Sequence, residues 1–185
     1  MPFIKTIEPG KATGDLKEIY ENLATTRGKI AEIHKIQSLN PEGLTAHMDL
    51  YMCIMFGKSP LKRYQREMMG VVVSATNNCT YCINHHEQAL LAYWKDEEKT
   101  KLLIDDRKTL SLSDEDRILC DFSELLTKNS LSSYQAEVQK LMDIGLTDRS
   151  ILDAVQVIAY FNFVNRMVLG LGVTFTEEEM KGYNY

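Results

Sequence analysis

The feature that most constrains the fold of this 185-residue chain is the recurrence of helix start and stop signals with no period-two alternation between them. An extended opening ends near Pro9-Gly10, and Asp15 is placed to cap a helix whose Leu16, Ile19, Tyr20 and Leu23 share one face. Asn40-Pro41 opens another, with Leu44, His47, Met48 and Tyr51 on one side and a stop near Gly57. Ser59-Pro60 reads as a cap followed by a proline at the first helical position, starting a helix that runs to about Thr76 with Tyr64, Glu67, Met68, Val71 and Ala75 in one stripe. Asn77-Asn78 breaks it, and the next helix carries two cysteines and continues through Leu90, Leu91 and Trp94. Ser113-Asp114-Glu115-Asp116 has capping-box form, and Ser132 or Ser133 can start a helix ending at Gly145. Thr147 can cap a long helix through Ile151, Val155, Ile158, Phe161 and Met167. The expected fold class is all-α, in one domain over residues 1–185, because no repeat, low-complexity run or linker divides the chain. The polar stretch from Lys95 to Leu112 reads as a mobile connection.

A chain of this length buries roughly two-thirds of its unfolded surface and needs no disulfide or metal staple to fold. Its net charge is −5, and the densest basic group, Lys58, Lys62, Arg63 and Arg66, lacks a nucleic-acid-binding motif. Nucleic acid is therefore not an expected partner. The opening Met1-Pro2-Phe3-Ile4-Lys5 lacks the charged-then-apolar design of a secretory signal, and no run reaches the ~20 apolar residues of a membrane span. A cytoplasmic protein is expected, where a CxxC pair serves metal binding or catalysis rather than stapling. Cys53 and Cys120 each sit alone in apolar helical patterns and read as packing residues. The helix over 147–170 is apolar on more than one side, which favours cover by a second copy and hence a homo-oligomer.

The chemistry concentrates in Cys79-Thr80-Tyr81-Cys82-Ile83-Asn84-His85-His86, with Glu67 twelve residues before Cys79. Cysteines three apart on a helix have Cα atoms about 5 to 6 Å apart, within reach of a disulfide. If a helix starts after Asn77-Asn78, its unpaired N–H groups and dipole favour a thiolate, the form that attacks. His85 at i+3 and His86 at i+4 flank Cys82, and Glu67 can orient an imidazole from the neighbouring helix. Cys82 thus has more help than Cys79. It is expected to be oxidised to a sulfenic acid, and Cys79 then closes a disulfide that an outside dithiol reduces. The competing readings are a redox sensor without turnover and a zinc site using Cys79, Cys82 and His86 with Glu67 or water. A thioredoxin-like site would need a βαβ pattern, and a c-type haem would need histidine where Ile83 stands. A bland alternative is that Glu67 only pairs with Arg63 or Arg66; His34 and His47 read as structural or surface residues.

The spacing from Glu67 to Cys79, Cys82 and His86, with the flanking Arg66-Glu67-Met68-Met69, resembles the alkylhydroperoxidase AhpD-like branch of the carboxymuconolactone decarboxylase superfamily, and within it the peroxidase-related proteins. The likeness is densest over residues 45–95 and continues at Asn162-Phe163-Val164-Asn165-Arg166 with Gly170-Leu171-Gly172. It implies an all-helical, oligomeric antioxidant peroxidase in which Glu67, Cys79, Cys82 and His86 form the redox site. It also implies a hydroperoxide substrate, no bound cofactor, and a dithiol reductant of lipoyl or thioredoxin type. The family pattern has a histidine where Tyr81 stands, so Tyr81 and His85 are candidate replacements in the proton relay. Members without the cysteine pair are lactone decarboxylases, an activity the intact pair argues against.

Overall fold

The computed structural model describes residues 2–175 and Glu179. Among these residues there are nine α-helices and no strand: α1 Gly14–Arg27, α2 Glu32–Lys35, α3 Pro41–Phe56, α4 Arg63–Thr76, α5 Thr80–Trp94, α6 Glu97–Asp105, α7 Asp114–Lys128, α8 Gln135–Asp143 and α9 Asp148–Leu171.

Helix α4 is the hub, packed against α5, α7 and α9. It is buried continuously from Gln65 to Ser74, not along a single stripe, because neighbours cover it on every side. Gly70 permits the closest of these approaches: a Cβ there would lie 2.8 Å from Cε2 of Phe161 on α9. The longest helix, α9, has the length and mean hydropathy of a membrane span, contrary to the expectation that no stretch comes near one. Here it is a core helix, burying Ile151, Ala154, Val157, Ile158, Phe161 and Val168, and also Asp153 and Asn165.

Side-chain caps explain several of the helix starts. Asn40 accepts from the Gly43 amide at 3.0 Å, Ser113 from Asp116 at 3.1 Å and Thr147 from Ser150 at 3.2 Å, each satisfying a first-turn donor as expected. Three starts differ from the sequence reading. Helix α1 begins at Gly14 without a side-chain cap from Thr13, and Asp15 lies inside the first turn. Helix α4 begins at Arg63, because Ser59 spends its hydroxyl on the Leu61 amide in a local turn. Helix α8 begins at Gln135.

The largest departure is the Lys95–Leu112 stretch, which holds α6 and a short 3₁₀ turn, Arg107–Thr109. Asp96 caps α6 through the Lys99 amide at 2.9 Å, and Thr100 and Leu103 are buried against the core. One inward stripe suffices to dock a helix whose other faces are charged. Cys120 is buried as expected, whereas Cys53 is exposed, on a face of α3 that also exposes Leu50, Met52 and Phe56.

Candidate active site

The two cysteines lie where α4 hands over to α5. Asn77 ends α4, Asn78 takes a left-handed conformation at φ 54°, and Cys79 is the N-cap of α5, with Cys82 in its first turn. The turn is pinned from α9: the Asn77 amide donates to the Asn162 and Asn165 side-chain oxygens at 3.1 and 3.0 Å. The Asn165 amide in turn donates to the Ser74 hydroxyl at 3.4 Å. The Asn162–Arg166 motif therefore fixes the cysteine turn from the neighbouring helix.

Glu67, on α4, is 1 % exposed and divided between two partners. Its Oε2 accepts from Nδ1 of His86 at 2.8 Å, and its Oε1 faces Arg63 at 2.5 Å. Burial works against its ionisation, but the His86 hydrogen bond and charge, together with Arg63, hold the carboxyl below its ordinary range. Arg66 takes no part, since its Nη1 donates to the Ile54, Met55 and Gly57 carbonyls at the end of α3. Nδ1 of His86 faces Glu67, so Nε2 is the nitrogen left for chemistry, and Phe161 packs edge-on against the ring at 4.2 Å.

His86, His85, Tyr81, Cys82 and Glu67 line one pocket of about 100 Å³. Cys79 does not line it and is fully buried behind. Access therefore favours Cys82. The Cys82 thiol donates to the Cys79 sulfur, which favours the Cys79 thiolate against the effect of burial. Donating that proton, with burial and the charge of Cys79 added, pushes the Cys82 thiol up, and the Asn165 side chain partly opposes this. Two sulfurs sharing a site this closely lose the first proton as a pair, and the second is suppressed.

Tyr81 and His85, one turn apart on α5, are drawn together in the same wall. Their rings lie 4.5 Å apart, and Glu179 sits against both. Its Oε1 accepts from Tyr81 Oη at 2.7 Å and from the Glu32 amide at 2.9 Å, and lies 3.5 Å from His85 Nε2. Burial lowers the basicity of His85, and Glu179 counters it.

Sequence reasoning missed much of the remaining wall, Arg27, His34, His47, Tyr51, Tyr160 and Phe161, and also Glu179 beside Tyr81. His34 and His47 are neither surface residues nor remote core residues, because all four histidines of the chain line this pocket. His47 shares the α3 stripe with Tyr51, the one signal that marked it as inward-facing. Its Nε2 is hydrogen-bonded to Tyr160 Oη at 2.6 Å and its Nδ1 to the Gln37 side chain. Nδ1 of His34 accepts from the Ala31 amide at 3.1 Å. Burial lowers these two imidazoles to about 3 for His34 and about 4 for His47. Among the described residues no three His, Cys, Asp or Glu side chains are grouped to hold a metal ion.

A bundle of helices around a buried CxxC turn, with a carboxylate–imidazole pair beside it, defines an AhpD-like helical domain. Residues 41–117 match the sequence model of the carboxymuconolactone decarboxylase family. An uncharacterised peroxidase-related protein from Silicibacter shares 26 % identity, with TM-score 0.82 over 97 % of this chain and 91 % of that one. An uncharacterised peroxidase-related protein from Ralstonia eutropha, described as an alkylhydroperoxidase AhpD core, superposes with TM-score 0.86 at 22 % identity over 97 % and 94 %. The debrominase Bmp8, in complex with 2,3,4-tribromopyrrole, shares the fold at 13 % identity and TM-score 0.79, over 95 % and 92 %. No curated protein matches the sequence.

Proposed function

We propose that this protein is a dithiol hydroperoxide reductase whose peroxide-reactive sulfur is Cys82 and whose resolving sulfur is Cys79. The observation that carries the reading is the pocket that reaches Cys82 and leaves Cys79 behind it, with the Glu67–His86 pair in the same wall.

The pair starts with one shared negative charge, held on the Cys79 side. A short proton transfer from Cys82 to Cys79 makes Cys82 the thiolate in the place where substrate arrives. Its sulfur takes the distal peroxide oxygen, the O–O bond breaks, and the leaving alkoxide is protonated, giving an alcohol and Cys82 sulfenic acid. His86, with Nδ1 held on Glu67, presents Nε2 to move that proton, and Glu67 stabilises the imidazolium formed in passing. Cys79 then attacks the sulfenic sulfur, and water leaves as the disulfide closes. An external dithiol of lipoyl or thioredoxin type restores the thiols by exchange, with no metal or organic cofactor. Tyr81 and His85 supply the outer part of the relay. The apolar residues exposed on α3 support self-association, and a thiol cycle of this kind belongs to the reducing cytoplasm.

The test is consumption of tert-butyl hydroperoxide with dithiothreitol as reductant. Cys82→Ser should reduce the rate to the uncatalysed background. Cys79→Ser should give one turnover and leave a sulfenic acid at Cys82 that dimedone traps. Full turnover by Cys82→Ser would remove the reading. Stoichiometric oxidation of the unaltered protein without sustained turnover would favour a redox sensor.

A further inference from the structure

The wall of the pocket carries a cation, Arg27, that no carboxylate among the described residues balances. Arg27, the last residue of α1, donates from Nη2 to Tyr51 Oη at 3.2 Å. Its guanidinium lies 5.1 Å from the Tyr51 ring centre and 5.3 Å from that of Phe56. Among the described residues no Asp or Glu forms an ion pair with it. A phenol and two aromatic faces position a guanidinium without neutralising it.

The other charges nearby do not supply the missing anion. Among the described residues Glu67 is the one carboxylate in the lining, and its two oxygens already face Arg63 and His86. His34 and His47, the lining imidazoles of α2 and α3, are bonded to neutral groups and are kept uncharged by burial. The groups bonded to the cysteine pair are each other and Asn165, so the thiolate charge belongs to the α4–α5 turn. The pocket therefore offers a planar, forked donor beside aromatic and aliphatic walls, and such a fork pairs best with a carboxylate or a similar oxyanion. Size narrows the ligand further. The space of about 100 Å³ is smaller than the roughly 150 Å³ of an engineered cavity that holds benzene. The part of a ligand enclosed there is therefore short.

We infer that the pocket selects a small organic hydroperoxide bearing a carboxylate or equivalent oxyanion, which Arg27 holds while the apolar body lies against Tyr51, Tyr160 and Phe161 and the peroxide meets Cys82. The peroxide part of this assignment rests on the function proposed above; the anionic part rests on Arg27 alone. The carboxylate is unchanged in the reaction: Cys82 sulfur is oxidised as the O–O bond breaks, the peroxide is reduced to the hydroxy acid, and the dithiol supplies the electrons.

Iodoacetate and iodoacetamide separate the two parts, because they differ in charge at nearly constant size and alkylate a thiolate without any peroxide. The reduced protein is treated with each, modification at Cys82 is followed by residue-resolved mass spectrometry, and the iodoacetate-to-iodoacetamide rate ratio is divided by that of glutathione. The expected normalised ratio is above one for the unaltered protein. It should fall roughly fivefold in Arg27→Gln, the scale of one solvent-exposed ion pair, and be largely retained in Arg27→Lys. Each ratio is internal to one protein, so a general change in thiol reactivity cancels. An unchanged ratio in Arg27→Gln, or an equal loss in Arg27→Lys, overturns the anion site. A retained anion preference in a protein that turns over no hydroperoxide overturns the peroxidase reading and leaves the anion site standing.

Discussion

On the α2–α3 wall of the pocket, His34 and His47 are bonded to neutral groups; on α5, His85 and His86 each face a carboxylate. The two walls are made of the same residue type at similar burial, and they are built for opposite purposes. An imidazole cut off from water and given no anion is held neutral, so it shapes the cavity and places hydrogen bonds. An imidazole given a carboxylate is held in one orientation and can carry a proton in transit. The two carboxylates also differ. Glu67 is locked between Arg63 and His86 within one helix pair, whereas Glu179 reaches Tyr81, His85 and the Glu32 amide from far along the chain.

The contrast breaks most sharply at Glu67. Glu67→Gln should lower the rate of hydroperoxide consumption by roughly a hundredfold to ten-thousandfold, the usual range for a positioned acid–base group. It also leaves Arg63 without its buried partner, at a cost of about 3 kcal/mol in unfolding experiments. Iodoacetamide alkylation profiles against pH separate the two effects, and an unchanged profile with an unchanged rate would show that Glu67 serves only packing.

Acid should act first on the α2–α3 wall. In the unfolded chain His34 and His47 take up protons near their ordinary value of 6.5, while in the folded chain they do so only at about 3 and about 4. Between those limits the unfolded state binds more protons, so stability present at neutral pH is lost as pH falls. The loss at pH 5 is about 2 kcal/mol for each histidine. Thermal melting at pH 7 and pH 5 measures it. His47→Gln, which keeps polar partners for Tyr160 and Gln37, should remove about half of the pH dependence, and an unaltered slope would mean that His47 is solvated in the native state.

The smallest effect is expected at the outer carboxylate. Glu179→Gln keeps an acceptor for Tyr81 and removes the charge beside His85, so turnover should fall by a factor of about three to ten with little loss of stability. The pH–rate profile should also change shape, since His85 would lose the anion that counters its burial. A uniform fall across pH would assign Glu179 to structure alone.

Much of the fold was legible because helix caps are local. Asn40, Ser113 and Thr147 each satisfy an amide three residues away, and that geometry depends on nothing distant. The missed helix at Glu97–Asp105 failed on composition, because one inward stripe of Thr100 and Leu103 is outvoted by surrounding charge. Cys53 failed for the reverse reason: an apolar pattern shows which face of α3 is greasy, but not that this part of it remains uncovered.

In the site, the cysteine turn and the meeting of Glu67 with His86 follow from spacing along two consecutive helices, and the sequence by itself was enough to pair them. The difference in access between the two sulfurs was not legible there. Which sulfur is acidic and which is reachable depends on the hydrogen bond between them and on what is packed behind, properties of burial rather than of order along the chain. The same holds for Arg27, His34, His47 and Tyr160, brought from α1, α2, α3 and α9 to one cavity, and for Glu179 beside Tyr81. Local periodicity decided which helices form and what chemistry α4 and α5 carry. Only the packing of distant helices decided what shares that space, because a contact between residues a hundred positions apart has no local signature in either of them.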